Sequence, residues 1–390
     1  MKLGSVLFIA LMVACAGCMK EFAPAELKRR APPILSVELE SIGFKLLWNY
    51  PLDHEIVNMY LMNGNIFVET KEHHLYKIGG KDGFVRWDYG LGSEITAGPF
   101  LYVYDRELPG VAPAYDEIYV LCHDTLHSID EKDGSRLWTC DLRYPASSPP
   151  FASRTHIYYG GWDDRMHAID KNDRTQDWQC VTGGDIVAGG QQEDPSVFFA
   201  SRDGKVYCAD AACGTDTWKF SCQGPVEETP FLYRKRLYVA SRDYNLYAIK
   251  TSDGSKAWEF PCESEVRRPV AVDTSKSITE FRLTAYCAAD NHYFFAIDNK
   301  DGTLKWKLKD GWKLLLVGRQ NAYVLTEDKE IAAVDNKTGE VRWKKRFANV
   351  DFFMTNYADA RAVRDGKADY CIYLGFKNGW IFAIREKEPF

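Results

Sequence analysis

The sequence lacks a long hydrophobic run, an excess of positive charge and any compact catalytic motif. Its longest apolar segment, near the N-terminus, ends at about residue 15, whereas a membrane-spanning helix needs about 20 apolar residues. The formal net charge is −6, without a basic stripe, which excludes a dedicated nucleic-acid binder. There is no HExxH, phosphate-loop or nucleophile-elbow sequence, so no catalytic, cofactor-binding or metal-binding residue is assigned.

Histidine is also scarce, and its distribution argues against a metal site. The eight histidines are scattered, and the adjacent pair His73 and His74 lies at the start of a predicted strand. Successive side chains of a strand point to opposite faces, so this pair cannot easily chelate one ion. We interpret both as surface or turn residues.

Aromatic residues, in contrast, are abundant. The 390 residues include 22 Tyr, 21 Phe and 11 Trp, which favour half-buried pleated surfaces over helices. A chain of this length usually divides into domains unless its fold is a repeat or a closed barrel. The composition therefore predicts an all-β protein.

The N-terminus resembles a bacterial lipoprotein signal. Lys2 is followed by an apolar run over residues 6–14 and by Ala16 and Gly17 before Cys18. The resemblance implies that residues 1–17 are a signal peptide and that Cys18 carries the lipid. Cys15 stands where such signals usually have Leu, and it is the alternative lipidation site.

Residues 18–36 are predicted to be a lipidated tether. They are rich in proline and basic residues and show neither helical nor strand periodicity. Fully extended, they could reach roughly 60 Å from a membrane surface. We expect the periplasmic face of a membrane, and Met19 after Cys18 favours the outer membrane by resemblance to lipoprotein sorting.

The main feature of the sequence is an internal repeat. Its unit is Ala-Ile-Asp, a short polar turn with Asp-Gly, and then Trp, as in the stretch LYAIKTSDGSKAW. Seven copies recur at intervals of 37 to 51 residues and end at Trp87, Trp138, Trp178, Trp218, Trp258, Trp306 and Trp343. One such Trp per unit indicates structural docking of blades, because a ligand site would need only one of them.

The two ends of the chain complete the repeat. The C-terminal stretch IFAIREKEPF begins an eighth unit without a Trp, and the N-terminal FKLLWNY supplies Trp48. We therefore predict that residues 37–390 form an eight-bladed β-propeller of four-stranded antiparallel blades. The Trp48 strand joins the C-terminal blade and closes the ring, which removes an exposed sheet edge.

One blade shows the pattern most clearly. Residues 226–260 predict strands at 229–233, 236–241, 245–250 and 255–260, with period-two alternation in LYVAS and LYAIK and a tight turn at Asp253-Gly254. The equivalent turn contains Asp298, Asn299 and Asp301, which could be read as calcium ligands. No Glu closes an EF-type loop there, so turn chemistry is the preferred interpretation.

The repeat resembles the tryptophan-docking unit of the pyrroloquinoline-quinone (PQQ) propeller family, over residues 44–390. One branch contains quinoprotein dehydrogenases with a vicinal disulfide, a Ca²⁺ site and an aspartate base, and this chain has no Cys-Cys pair. The BamB branch has eight blades, a lipobox and no cofactor. It implies a non-catalytic, lipid-anchored scaffold, monomeric, that binds envelope proteins such as the outer-membrane β-barrel assembly complex. A PQQ-dependent oxidoreductase and a propeller that senses a ligand in its central funnel are the alternatives.

Two further features concern loops and cysteines. Three blades carry insertions at residues 104–117, 273–286 and 357–370, all between the first two strands, and these predict a partner-binding face shared with the Asp-Gly turns. Nine cysteines follow Cys18. Equivalent cysteines in the outer strands of adjacent blades are expected to lie too far apart to pair. A bridge within the fourth blade, among Cys208, Cys213 and Cys222, stays open.

Overall fold

The structure is a computed structural model that describes residues 36–104, 115–273, 284–318, 320–347, 349–355 and 371–387. The predicted signal peptide, both candidate lipidation sites, tether residues 18–35 and most of the three insertions lie outside the described residues. Among those that are described, the helical segment is too short and too polar to cross a bilayer.

One short helix, α1 (Ser36–Ser41), precedes the first strand. Blade 1 comprises β2 (Ile56–Met62), β3 (Asn65–Thr70), β4 (His74–Gly79) and β5 (Val85–Gly90). Blade 2 comprises β6 (Ala97–Tyr102), β7 (Glu117–Cys122), β8 (Thr125–Asp130) and β9 (Arg136–Asp141). Blade 3 comprises β10 (Phe151–Ala152), β11 (His156–Gly160), β12 (Arg165–Asp170) and β13 (Gln176–Val181). Blade 4 comprises β14 (Gln191–Glu193), β15 (Ser196–Ala200), β16 (Lys205–Asp210) and β17 (Asp216–Ser221).

The second half of the ring repeats the same arrangement. Blade 5 comprises β18 (Phe231–Tyr233), β19 (Arg236–Ala240), β20 (Asn245–Lys250) and β21 (Lys256–Pro261). Blade 6 comprises β22 (Ala271–Val272), β23 (Thr284–Ala289), β24 (Tyr293–Asp298) and β25 (Leu304–Lys309). Blade 7 comprises β26 (Gly311–Val317), β27 (Asn321–Thr326), β28 (Glu330–Asp335) and β29 (Val341–Arg346). Blade 8 comprises β30 (Phe352–Thr355), β31 (Cys371–Gly375), β32 (Trp380–Glu386) and, from the N-terminus, β1 (Phe44–Pro51).

The eight four-stranded antiparallel sheets confirm the predicted propeller and its closure. β1 pairs with β32 as the outermost strand of blade 8, with Trp48 opposite Ala383 and Phe44 opposite Glu386. The first strand of blade 8 contacts the first strand of blade 1, so the last blade packs against the first. Closure of this kind leaves no blade without a neighbour.

The burial pattern differs from the predicted alternation in the middle strands. In β20, Leu246 and Tyr247 are consecutive and both buried, as are Ala248 and Ile249. Each blade is covered by a neighbouring blade on both faces, so its inner strands bury both sides. Exposed and buried positions alternate instead in outer strands such as β21, at the rim of the disc.

The repeated Trp and the repeated Asp-Gly turn are two halves of one contact between blades. Gly254 has φ +71°, and a Cβ at this position would lie 2.6 Å from Cε3 of Trp218 in the preceding blade. The Trp218 indole also donates a hydrogen bond to the Thr251 carbonyl at 3.0 Å. The same stacking of a turn glycine on an indole of the preceding blade recurs at Gly83 on Trp48, Gly134 on Trp87, Gly214 on Trp178, Gly302 on Trp258 and Gly339 on Trp306.

The two remaining indoles have other partners. The turn of blade 3 has Arg174 at φ +63° in place of glycine, and its guanidinium lies 5.5 Å from the centroid of the Trp138 ring. Trp343 meets the ring-closing strand, where the Phe44 ring contacts it edge-on at 6.2 Å. The structure thus places all eight repeat tryptophans on outer strands that dock against the next blade.

Candidate protein-binding face

The antiparallel order of each blade sends its loops to two opposite faces of the disc. The turns between third and fourth strands, such as residues 251–255, emerge on the side that we call the turn face, together with the loops between first and second strands. The loops between second and third strands, such as residues 241–244, and the connections between blades, such as residues 262–270, emerge on the side that we call the ladder face.

On the turn face, the acidic side chains of the blade 6 turn accept hydrogen bonds from their own loop. The Asp298 carboxylate accepts the Lys300 backbone N–H at 2.9 Å, and the Asp301 carboxylate accepts both the N–H and the hydroxyl of Thr303. The Asn299 side chain accepts the Tyr238 hydroxyl at 2.6 Å. These contacts are turn chemistry, and no cluster of metal-ligating side chains is found among the described residues.

The histidine pair has the geometry of a loop rather than a chelate. His73 has φ +59°, and Nδ1 of His74 lies 3.1 Å from a carboxylate oxygen of Asp88. The fourth-blade cysteines do not form a pair: Cys208 is buried, Cys213 is exposed, and Cys222 is partly buried, with all three thiols free.

A partly buried amine lies on the turn face between blades 2 and 3. Nζ of Lys171 is 3.6 Å from the ring centroid of Tyr102 and 3.4 Å from the Tyr104 hydroxyl. Burial, opposed by the charge of Glu117, lowers the pKa of Lys171 to about 7. The lysine therefore titrates near neutral pH, and its cage anchors the start of the first insertion.

The ladder face carries a continuous chain of alternating charges across blades 3 to 6. Neighbouring members are joined by ion pairs of 3.0 to 3.4 Å, and the Arg267–Glu265 pair is also in contact. In order, the members are Asp185, Arg202, Glu227, Arg242, Glu265, Arg267 and Asp290, and we call them the charge ladder. All seven side chains are partly exposed.

The charge ladder contributes little to folding stability by itself. Exposed ion pairs are typically worth about 0–1 kcal/mol each. A hydrogen bond from Arg242, joined by one from Arg267 and opposed by burial, holds the pKa of Glu265 below its usual value. The Glu265 carboxylate therefore stays ionised at neutral pH, and the ion pairs of the charge ladder present an ordered pattern to a partner.

Exposed aromatic side chains accompany the charge ladder. Trp162 is 57% exposed and Tyr244 is 54% exposed, each in a loop between second and third strands. Tyr244 adopts φ +74°, and the equivalent residues of other blades, such as Gly204 and His292, also have positive φ, so this conformation belongs to the repeated loop. What distinguishes this position is a bulky aromatic side chain exposed beside the charge ladder, as at an interaction surface.

A second group of side chains lies toward the centre of the same face. The guanidinium of Arg268 is 3.7 Å from the ring centroid of Trp312. Burial raises the pKa of Glu228 to about 7, with Arg268 opposing and Glu227 adding to the shift. Glu228 is therefore an acidic group of this face that responds to pH near neutrality.

The loops of the ladder face are held by repeated aspartates. The Asp203 carboxylate accepts the Tyr207 hydroxyl at 2.6 Å and the Gly183 backbone N–H at 3.0 Å. In the next blade, Asp243 accepts the Tyr247 hydroxyl at 2.8 Å and a backbone N–H of the connecting loop at the same distance. Such preformed loops reduce the entropy that binding would cost.

Sequence reasoning pointed to the insertions and missed this face. Its signal is the tripeptide Ser-Arg-Asp, which occurs at residues 201–203 and again at 241–243, one repeat apart. The arginine enters the charge ladder and the aspartate fixes the loop. The prediction of a binding surface at the insertions stays a prediction, since most of their residues are outside the described part of the chain.

The family described as outer membrane protein assembly factor BamB matches residues 104–196, 182–308 and 281–387. The crystal structure of BamB from Moraxella catarrhalis superimposes with a TM-score of 0.66 at 14% identity, covering 89% of this chain and 99% of that one. The computationally designed Ika8 protein superimposes with a TM-score of 0.62 at 13% identity, covering 85% and 96% respectively. No curated protein sequence matches the chain.

Proposed function

The chain belongs to the family of the outer membrane protein assembly factor BamB, and from this premise we propose that it is a non-catalytic scaffold that binds envelope proteins and assists outer-membrane protein assembly. The observation that carries the proposal is the ladder face, with its ordered charges and two exposed aromatic side chains. Recognition by such a face requires no catalytic residue.

The ladder face has the composition of a protein-binding surface. Trp, Tyr and Arg are the residues that contribute most to protein interfaces. Trp162 and Arg202 lie together here, with the guanidinium 6.0 Å from the indole centroid. Aspartates and glutamates between the arginines would set the register of a partner with complementary charges.

Its partner is expected to be a protein domain with charges of both signs around an apolar contact. The charge ladder contains four acidic and three basic members, so a uniformly charged polymer would meet repulsion along it. We expect association to weaken as salt rises from about 0.05 to 0.5 M, because screening shortens the reach of exposed charges to a few ångströms.

The anchor of the scaffold is proposed to be the lipid on Cys18. Residues 1–17 would be removed as the signal peptide, and residues 18–36 would tether the propeller to the periplasmic face of a membrane, with the outer membrane favoured. This arrangement would keep a rigid disc within about 60 Å of the bilayer. The Cys18→Ser variant should lose membrane association in a fractionation of cell envelopes, and unchanged association would contradict the anchor.

The function is tested by capturing the protein from its own envelope after mild crosslinking. The Trp162→Ala/Tyr244→Ala variant should recover an assembly subunit at least about tenfold less efficiently, as loss of interface aromatics implies. Phe84→Ala is the matched control, since Phe84 is 62% exposed on the turn face. It should capture the same partner as the wild type.

Two results would contradict the proposal. If both variants lost recovery of the assembly subunit equally, the ladder face could not be assigned as the binding surface in preference to the turn face. Recovery of a cytochrome or another redox partner in place of an assembly subunit would favour the oxidoreductase class.

A further inference from the structure

Several seams between neighbouring blades share one arrangement. The residue four positions after the docking Trp is apolar and belongs to the same buried cluster as the second strand of the next blade. Leu142 lies in one cluster with Tyr159, and Phe347 lies in one with Leu374. The position is therefore part of the seam core.

At the seam between blades 5 and 6, both members of this contact are cysteines. Cys262 follows β21, and Cys287 is the fourth residue of β23. Their Sγ atoms are 3.7 Å apart, and the two residues are 0% and 1% exposed. In the preceding seam, Cys222 occupies the equivalent position and packs against a cluster that contains Val239, the residue equivalent to Cys287.

We propose that Cys262 and Cys287 form a disulfide between blades 5 and 6 in the mature protein. A disulfide requires an Sγ–Sγ bond of about 2.05 Å, so the two sulfurs would have to approach by about 1.7 Å. This inference rests on the proposed envelope location, where disulfides form and persist.

The step is an exchange with a protein disulfide of the thioredoxin-like class. Each cysteine gives up its thiol hydrogen, and the Sγ–Sγ bond forms between the two sulfurs. The two protons and two electrons pass to the oxidant, whose disulfide is broken and reduced to two thiols.

The environment of Cys287 indicates when during folding the disulfide would form. A hydrogen bond with Cys262, together with burial, holds the pKa of the Cys287 thiol well above its usual value. The thiolate is the reactive form, so the closed seam reacts slowly. Oxidation therefore belongs to folding, before the seam closes, and exposed Cys213 should react with an added thiol reagent far faster in the folded protein.

The bond would fix part of the charge ladder. Glu265 lies three residues after Cys262, and Asp290 three residues after Cys287. The Asp290 backbone N–H donates to the Glu265 carbonyl at 2.9 Å, and Arg267 pairs with the Asp290 carboxylate at 3.2 Å across the same seam. A covalent link would hold these groups in register for a partner.

The test begins with reduced, unfolded mature protein, refolded in a mixture of reduced and oxidised glutathione. After thiol blocking and tryptic digestion, Cys262 lies in residues 257–267 and Cys287 in residues 283–300, each peptide with one cysteine. We expect the linked pair, its disappearance on reduction, and an unfolding midpoint a few degrees higher than that of the reduced protein, because the closed loop is about 25 residues long.

Matched variants define the outcome. Cys287→Val introduces the valine that the preceding blade has at the equivalent position, Val239. This variant should abolish both the linked peptides and the shift in unfolding midpoint. The control Cys222→Ser should keep both. Complete alkylation of Cys262 and Cys287 after refolding would overturn the proposal. Formation in glutathione but free thiols in protein blocked directly in cells would overturn the disulfide in the mature protein, and would count against the envelope location on which it rests rather than against the geometry of the pair.

Discussion

The contact between turn glycine and indole makes Gly254→Ala a direct test of how the blades dock. An alanine would have to keep φ +71°, which costs an L-residue roughly 1–2 kcal/mol. Its Cβ would also lie 2.6 Å from Cε3 and 2.7 Å from Cδ2 of Trp218, and overpacking of this kind costs about 1–3 kcal/mol. The free energy of unfolding should fall by about 2–5 kcal/mol.

Gly92→Ala separates the two costs. Gly92 has φ +81°, and a Cβ there would meet nothing within 4 Å, so only the backbone cost applies. Both variants would be unfolded in urea and followed by circular dichroism and tryptophan fluorescence. The reasoning requires that Gly254→Ala lose about 1–3 kcal/mol more than Gly92→Ala.

The extra loss of unfolding free energy caused by Gly254→Ala should shrink in a background that carries Trp218→Ala. In that background the indole that the new Cβ would meet is absent. Equal losses for Gly254→Ala and Gly92→Ala would refute the docking contact. An excess that persists without the Trp218 ring would assign the clash to another group.

The remaining predictions concern two groups that titrate near neutrality. Because the pKa of folded Lys171 is about 7, the unfolded chain holds one more proton between about pH 7 and 10, and stability should rise with pH there. Lys171→Met should flatten that rise in thermal unfolding, and an unchanged slope would refute the assignment. For Glu228 the change of stability with pH has the opposite sign. Its pKa is raised from 4.5 to about 7, so the folded state binds the proton more tightly than the unfolded chain. This contribution is present at low pH and is lost as pH rises to 7. Glu228→Gln should remove this fall, whereas a variant that keeps the wild-type pH profile would contradict the shift.

The family and the architecture could be predicted from the sequence because the residues that define a blade recur at regular intervals. The spacing of Trp and Asp-Gly predicted eight blades, and the incomplete units at the two ends predicted that β1 would complete blade 8. In blade 5 the predicted third strand, residues 245–250, coincides with β20, and its neighbours differ at their ends by one or two residues. The signal peptide, Cys18 and the tether stay predictions.

The ladder face could not be predicted from the sequence in the same way, and the reason is physical. A blade forms from adjacent strands, so its pattern is local and the sequence by itself determined it. The pairs Arg202–Glu227 and Cys262–Cys287 are each separated by 25 residues and join different blades. Whether such side chains meet depends on the angle and distance between two packed sheets, which only the closed tertiary ring decided.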